Sequence, residues 1–253
     1  MEAPQWSAAM NVKLLLVHTR WMCFELIRQP AYVVSTIAFP VLFYTIFAVP
    51  ESNDVGASNL LMASFSSFAV FGVVFLQFGV GTAQERSQSW YLFLKSLPLP
   101  GSHLLMARLL SAILFSLLAM LGVVAMALWQ TPVDLTERQW ILFVFWLMMG
   151  GLSFSILGIA VGLWAPEKAA LPIGNLIYLP LSFAGGLWKP PEILPSSIQD
   201  VSTYLPTRHY GELVWSAIRD ESFPQKSLYG LLLWTIVFSV VAYWGFKKET
   251  KRG

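Results

Sequence analysis

From Asn59 to Ala83 the chain runs for 25 residues without a single charge. At ~1.5 Å per helical residue, such a run covers the ~30 Å of a bilayer's hydrocarbon core. Five more stretches of the same character lie at 31–49, 109–129, 139–165, 169–188 and 228–246. A backbone in lipid must satisfy its own N–H and C=O groups, so each run is expected to be a helix. The ten-residue apolar–polar alternation of a membrane barrel is missing. Composition agrees: 12% of residues are charged and 56% hydrophobic, with 11 Trp and 18 Phe spread along the chain. The expectation is an all-α polytopic membrane protein, one domain over residues 1–253 with six transmembrane helices. Residues 1–30 lack a clean apolar core and a small-residue cleavage site, so no secretory signal peptide is expected.

Charge excludes some classes and orients the rest. A net charge of +2 gives no footing for a nucleic-acid partner. The lone Cys23 excludes an internal disulfide and a multi-cysteine metal site, and reads as a small hydrophobe on a helix. Lysine and arginine favour the cytoplasmic side of short loops. The N-terminal segment carries Lys13, Arg20 and Arg28, the loop 84–108 carries Arg86, Lys95 and Arg108, and the tail is KKETKRG. The loop 50–58 has Glu51 and Asp54 and no base, and Pro166–Lys168 reads as a tight hairpin turn. Both termini are therefore expected in the cytoplasm, although the long fifth loop, with four bases, pulls weakly the other way.

Between the second and third spans stands QERSQSWYLFLKSLP, residues 84–98. Read as a helix over 87–97, with Ser87 as N-cap and Pro98 as stop, it lines up Trp90, Phe93, Leu94 and Leu97 at i, i+3, i+4 and i+7. Such a face suits either a membrane surface or a groove on a soluble partner. The N-terminal segment, residues 5–29, is a second imperfectly amphipathic helix. In the fifth loop, residues 189–226, Tyr210, Leu213, Val214, Ala217 and Ile218 form an apolar stripe that could lie on the outer interface or re-enter the bilayer.

Six spans in this order, with QERSQSWYLFLKSLPLPGSHLLMARLL after the second and PLSFAGGLWKPPEILPSSIQDVSTYLPTRHYGELVWSAIRD after the fifth, resemble the membrane subunit of ABC-2 type transporters. The resemblance covers nearly the whole chain, through loose motifs of which none is catalytic. It implies an N-terminal interface helix and a cytoplasmic coupling helix over 87–97, followed by short outer helices capping the exit before the last span. It assigns coupling to an ATPase to Glu85, Arg86, Trp90, Tyr91, Phe93, Leu94 and Leu97. The pair Glu85–Arg86 would meet partner charges or the first amphipathic helix. The second and fifth spans would border a translocation path, here Gln77, Asn175, Pro180 and Ser182, with Tyr210, Leu213 and Val214 in the outer lid.

The implied partners are two copies of an ATP-binding subunit, a second permease chain and the lipid bilayer of a bacterial inner membrane. ATP and Mg would sit on the ATP-binding subunit, because this chain has no G-x-x-x-x-G-K-[ST] loop and not one Gly-Lys dipeptide. The cargo would be an amphipathic or lipophilic molecule, such as a drug, antibiotic, lipid or glycan precursor. The spans hold no acid or base, which disfavours an ion-coupled carrier. Gly158-x-x-x-Gly162 in the fourth span reads as a contact within the subunit. Two other classes fit fewer features: a membrane scaffold that recruits a soluble partner, and an intramembrane hydrolase built on Ser153 and His209.

Overall fold

The computed structural model describes residues 8–87 and 101–250, and every regular element among them is helical. α1 (Ala8–Ile27) is followed by a helical stretch, Pro30–Glu51, that includes α2 (Pro30–Val33) and α3 (Phe39–Phe43). Next come α4 (Val55–Ser87), α5 (Gly101–Gln130), α6 (Glu137–Trp164) and α7 (Glu167–Ala184). Two short helices, α8 (Ser196–Ser202) and α9 (Pro206–Arg219), precede α10 (Gln225–Thr250). Thr136 and Gln139 close a capping box at the start of α6, and the α6–α7 hairpin turns at Ala165–Pro166, as its sequence suggests.

Among the described residues, four helices are long and apolar enough to cross a membrane: Val55–Ser87, Leu105–Gln130, Glu137–Trp164 and Gln225–Glu249. The other two expected spans are shorter. In Pro30–Glu51, widened π-helical turns at Val34–Ala38 and Tyr44–Ala48 interrupt the α geometry. Each lies immediately ahead of a proline, Pro40 or Pro50, whose ring would collide with the carbonyl four residues earlier. Widening the turn relieves that collision. α7 starts with the charged Glu167-Lys168, contains Pro172 and Pro180, and stops at Ala184 rather than 188.

The charge-free run belongs to α4, and α4 is the axis of the bundle. Of its most apolar stretch 94% is buried, against 17% for that of the peripheral α10. The second span thus lacks charge because protein encloses it. Its closest neighbour is α6, and glycines set the distance. A methyl group on Gly158 would lie 2.5 Å from the Phe75 carbonyl oxygen, and one on Gly162 would lie 2.5 Å from that of Gly79. The glycine pair is therefore a contact within this chain, as its spacing predicts. On the α7 side Tyr178 stacks on Phe68 at 4.8 Å, donates to the Phe68 carbonyl at 2.9 Å and fills the space over Gly72.

The fifth loop re-enters the bundle. α7 ends in a Schellman motif: Leu187 N–H donates to Ser182 O and Gly186 N–H to Phe183 O. Gly186 has φ +86°, a backbone that favours glycine. Thr207 donates to the Leu181 carbonyl at 2.6 Å, which seats the start of α9 beside the end of α7. Tyr210 then donates to Leu147 O at 2.8 Å, presses on Gly150 and meets the Phe154 ring. Those partners lie at the middle of α6, about 20 Å from its start. From there α9 rises to Ile218, whose carbonyl accepts from Gln139 at 2.6 Å. The expected stripe of Tyr210, Leu213, Val214, Ala217 and Ile218 is buried against α4, α6, α7 and α10.

α9 brings charge to mid-bundle that the hydropathy of the spans does not reveal. Arg208, His209 and Glu212 flank Tyr210, and the His209 ring packs on Gly230 of α10.

Two outcomes follow from this packing. Gly158→Ala should lower the melting temperature in detergent by about 3–10 °C, for an overpacking cost of ~1–3 kcal/mol. Gly81→Ala should be tolerated, since its methyl would make ordinary van der Waals contact with the Arg108 guanidinium at 3.4 Å.

Candidate functional site

At one end of the bundle, the last turn of α4 is tied to four other helices. Glu85 pairs with Arg108 of α5, whose Nη1 also reaches Thr82 at 3.3 Å and whose guanidinium lies over the Phe78 ring. Arg86 donates through Nη1 to the Gly162 carbonyl of α6 at 2.7 Å. Its Nε lies 2.9 Å from Glu249 Oε1 of α10, an ion contact out of line with the N–H. The Ser87 hydroxyl donates to Glu167 Oε2 of α7 at 2.6 Å. Nearby, Trp164 Nε1 donates to Val241 O, and Lys248 sits over the Trp164 ring at 4.5 Å.

This geometry changes one expectation: Ser87 stands not beyond the end of α4 but in its last turn, its hydroxyl turned to Gln84 O and Glu167. Within the chain, Glu85 and Arg86 find their opposite charges on α5 and α10. The remaining coupling residues, Trp90, Tyr91, Phe93, Leu94 and Leu97, lie outside the described residues. The first of them, Trp90, comes three residues after Ser87 in the sequence.

The path residues divide into two groups. Gln77 is buried, accepting from Tyr32 at 3.1 Å and donating to Ser111 at 2.5 Å, so its amide joins α2, α4 and α5. Ser182 is buried too and returns its proton to the Tyr178 carbonyl one turn back. Asn175 and Pro180 lie on the more open side of α7, beside the exposed Leu176. The lid residues Tyr210, Leu213 and Val214 form the inserted wall described above. No hydrogen bond joins Ser153 to His209 among the described residues, so the hydrolase pair is not assembled. Sequence reasoning missed Tyr178 and the Glu85–Arg108 pairing, since both are contacts between distant segments. The spacing of Arg208 and Glu212, four apart on a helix, was a readable signal.

The two ends of the bundle are chemically distinct. Residues 85–87, 108, 162–167 and 241–249 cluster at one. At the other, Asn59 exchanges hydrogen bonds with the Asp134 backbone, Tyr44 meets Thr131, and Arg138 pairs with Asp220 at 3.1 Å. The Tyr32–Gln77–Ser111 bonds set α2 toward the first end, near Arg108.

Residues 14–218 match the family model described as ABC-2 type transporter. The chain is also 26% identical over 231 residues to the Bacillus subtilis (strain 168) protein named "Putative transport permease YvfS", covering 89% of this chain and 94% of that protein. With a helical bundle, spans of membrane-crossing length and a family match over most of its length, this integral membrane chain belongs to the ABC-2 type transporter family.

Proposed function

We propose that the chain is the permease subunit of an ATP-driven exporter, with a second permease chain beside it and two ATP-binding subunits beneath. The observation that carries this reading is the joined end of α4: one turn is tied to α5, α6, α7 and α10, immediately before the aromatic segment Trp90–Leu97. A displacement of the last turn of α4 reaches four helices through short polar contacts. ATP and Mg belong to the ATP-binding subunit. The chain crosses the membrane six times, with Pro30–Glu51 and α7 as the shorter crossings, and both termini lie in the cytoplasm. Supporting this side, the segments at the α4–α10 junction end carry eight of the thirteen Lys and Arg residues among the described ones. Small bacterial subunits of this type sit in the inner membrane. The cargo is amphipathic or lipophilic, moved outward past the more open side of α7 at Asn175 and Pro180.

Two measurements test this. Mild-detergent purification of the tagged chain from its native cells should bring an ATP-binding subunit at about one copy per chain, lost with Trp90→Ala. A chain that emerges alone or with a non-ATPase partner contradicts the reading. Glu85→Arg should leave Arg108 facing a like charge, at a cost on the order of 1–3 kcal/mol, and uncouple ATP hydrolysis from transport. Glu85→Arg with Arg108→Glu restores the pair and should restore coupling; unaltered coupling in the single variant would count against the junction.

A further inference from the structure

On α9 nearly every side chain is buried, except along one strip. Arg208, Glu212 and Arg219 share a face within about 40° at 100° per residue, and they stay partly open while Tyr210, Leu213, Val214 and Trp215 are closed off. The Arg208–Glu212 pair lies at the depth of Tyr210, beside the middle of α6, where an unbalanced charge is costly. Its geometry is lopsided. Arg208 Nε and Nη2 both reach the same oxygen, Glu212 Oε1, at 2.7 and 2.6 Å. Arg208 Nη1 and Glu212 Oε2 have no partner among the described residues, and neither is sealed from solvent. The guanidinium lies over the Trp215 ring at 5.5 Å, and Trp215 is anchored by its indole N–H to Ser64 at 2.8 Å. The pair thus leaves guanidinium N–H groups open on the side away from Glu212 and one carboxylate oxygen open beyond it, on a braced platform, and it has no net charge.

We infer that Arg208 and Glu212 form a site for a zwitterionic phosphate–ammonium headgroup of the phosphoethanolamine class. The phosphate takes the open guanidinium N–H, and the ammonium donates to the free carboxylate oxygen. Such a ligand satisfies both open groups without adding net charge at mid-depth. An anionic headgroup leaves Glu212 facing its own sign, and a cationic one does the same to Arg208. His209, one residue away, turns to the α10 side, where its ring packs on Gly230. The inference rests on the exporter reading only in making this headgroup part of the cargo; the site itself needs no ATPase.

The test uses the whole chain, purified in detergent and exposed to equal amounts of phosphatidylethanolamine and phosphatidylglycerol, with retained lipid read by native mass spectrometry. The wild-type chain should retain phosphatidylethanolamine about tenfold over phosphatidylglycerol, the ratio that ~1.4 kcal/mol of mismatch gives. Glu212→Gln should reverse the preference, and Arg208→Gln with Glu212→Gln should abolish it. Equal retention of the two lipids by the wild-type chain, which requires no variant to fold, overturns the proposal. An unchanged preference in a monodisperse double variant also overturns it, leaving an ion pair only. Displacement by free phosphoethanolamine assigns recognition to the headgroup alone, and resistance to it assigns the site to lipid. Lipid selectivity without a co-purifying ATPase would sink the exporter reading and leave this site standing; the converse would sink the site alone.

Discussion

The contact on which the rest of this bundle depends is the approach of α4 to α6 across Gly79, Gly158 and Gly162. Backbone meets backbone there, with no side chain between, and carbonyl oxygens occupy the space that any Cβ would need. In lipid, helices gain little from burying apolar surface, so close van der Waals packing must supply the association. Once α4 and α6 are fixed, α7 closes on α4 through Tyr178 over Gly72, and α9 closes on α6 through Tyr210 over Gly150. Two tyrosines thus use the same device: a ring set against a glycine, with a hydroxyl bonded to a carbonyl on the neighbouring helix. α4 ends up enclosed on all sides, which makes it a rod whose displacement every neighbour must register.

Prolines and glycines then decide where the rods are interrupted. Pro40 and Pro50 widen the turns ahead of them, and Gly185-Gly186 stops α7 short and sends the chain back inward. Re-entry places the polar start of α9 half-way down α6. That is how Arg208, His209 and Glu212 reach a depth that no span brings a charge to, and why they occur as a compensated group. At the opposite end of α4, Glu85, Arg86 and Ser87 are likewise compensated by Arg108, Glu249 and Glu167. Among the described residues, ion pairs with both side chains less than half exposed occur in these two zones, at the α4–α10 junction and at the start of α9.

Much of the architecture was legible because bilayer thickness and hydrogen-bond satisfaction leave few options. The long runs at 59–83, 109–129, 139–165 and 228–246 all fall within helices of crossing length. The runs 31–49 and 169–188 read as equal to these because apolar count ignores how proline divides a helix. The Gly158–Gly162 spacing identified a packing seam but not its partner, since a seam's partner is a tertiary fact. Ser87 misled because a serine before an apolar stripe looks like an N-cap whether or not the preceding helix has ended. Glu85 and Arg86 were recognisable as unusual at the end of an apolar run. Their partners Arg108 and Glu249 were not, because 23 and 163 residues of chain separate them. The lid stripe was visible by periodicity, while its depth was set by Tyr210 meeting Gly150, which no local pattern encodes.

Transmission through the inner end of α4 is most directly tested by fixing that end in place. In a Cys23→Ala background, Arg86→Cys and Glu249→Cys would be joined by a short reversible crosslinker, with the ATP-binding subunit present and ATP hydrolysis coupled to transport as the readout. If α4 carries the motion, the crosslinked chain keeps its ATPase partner but loses coupled turnover, and reduction of the link restores it. Full coupled turnover with the link intact would show that α4 and α10 need not part, and would contradict the role given to this junction.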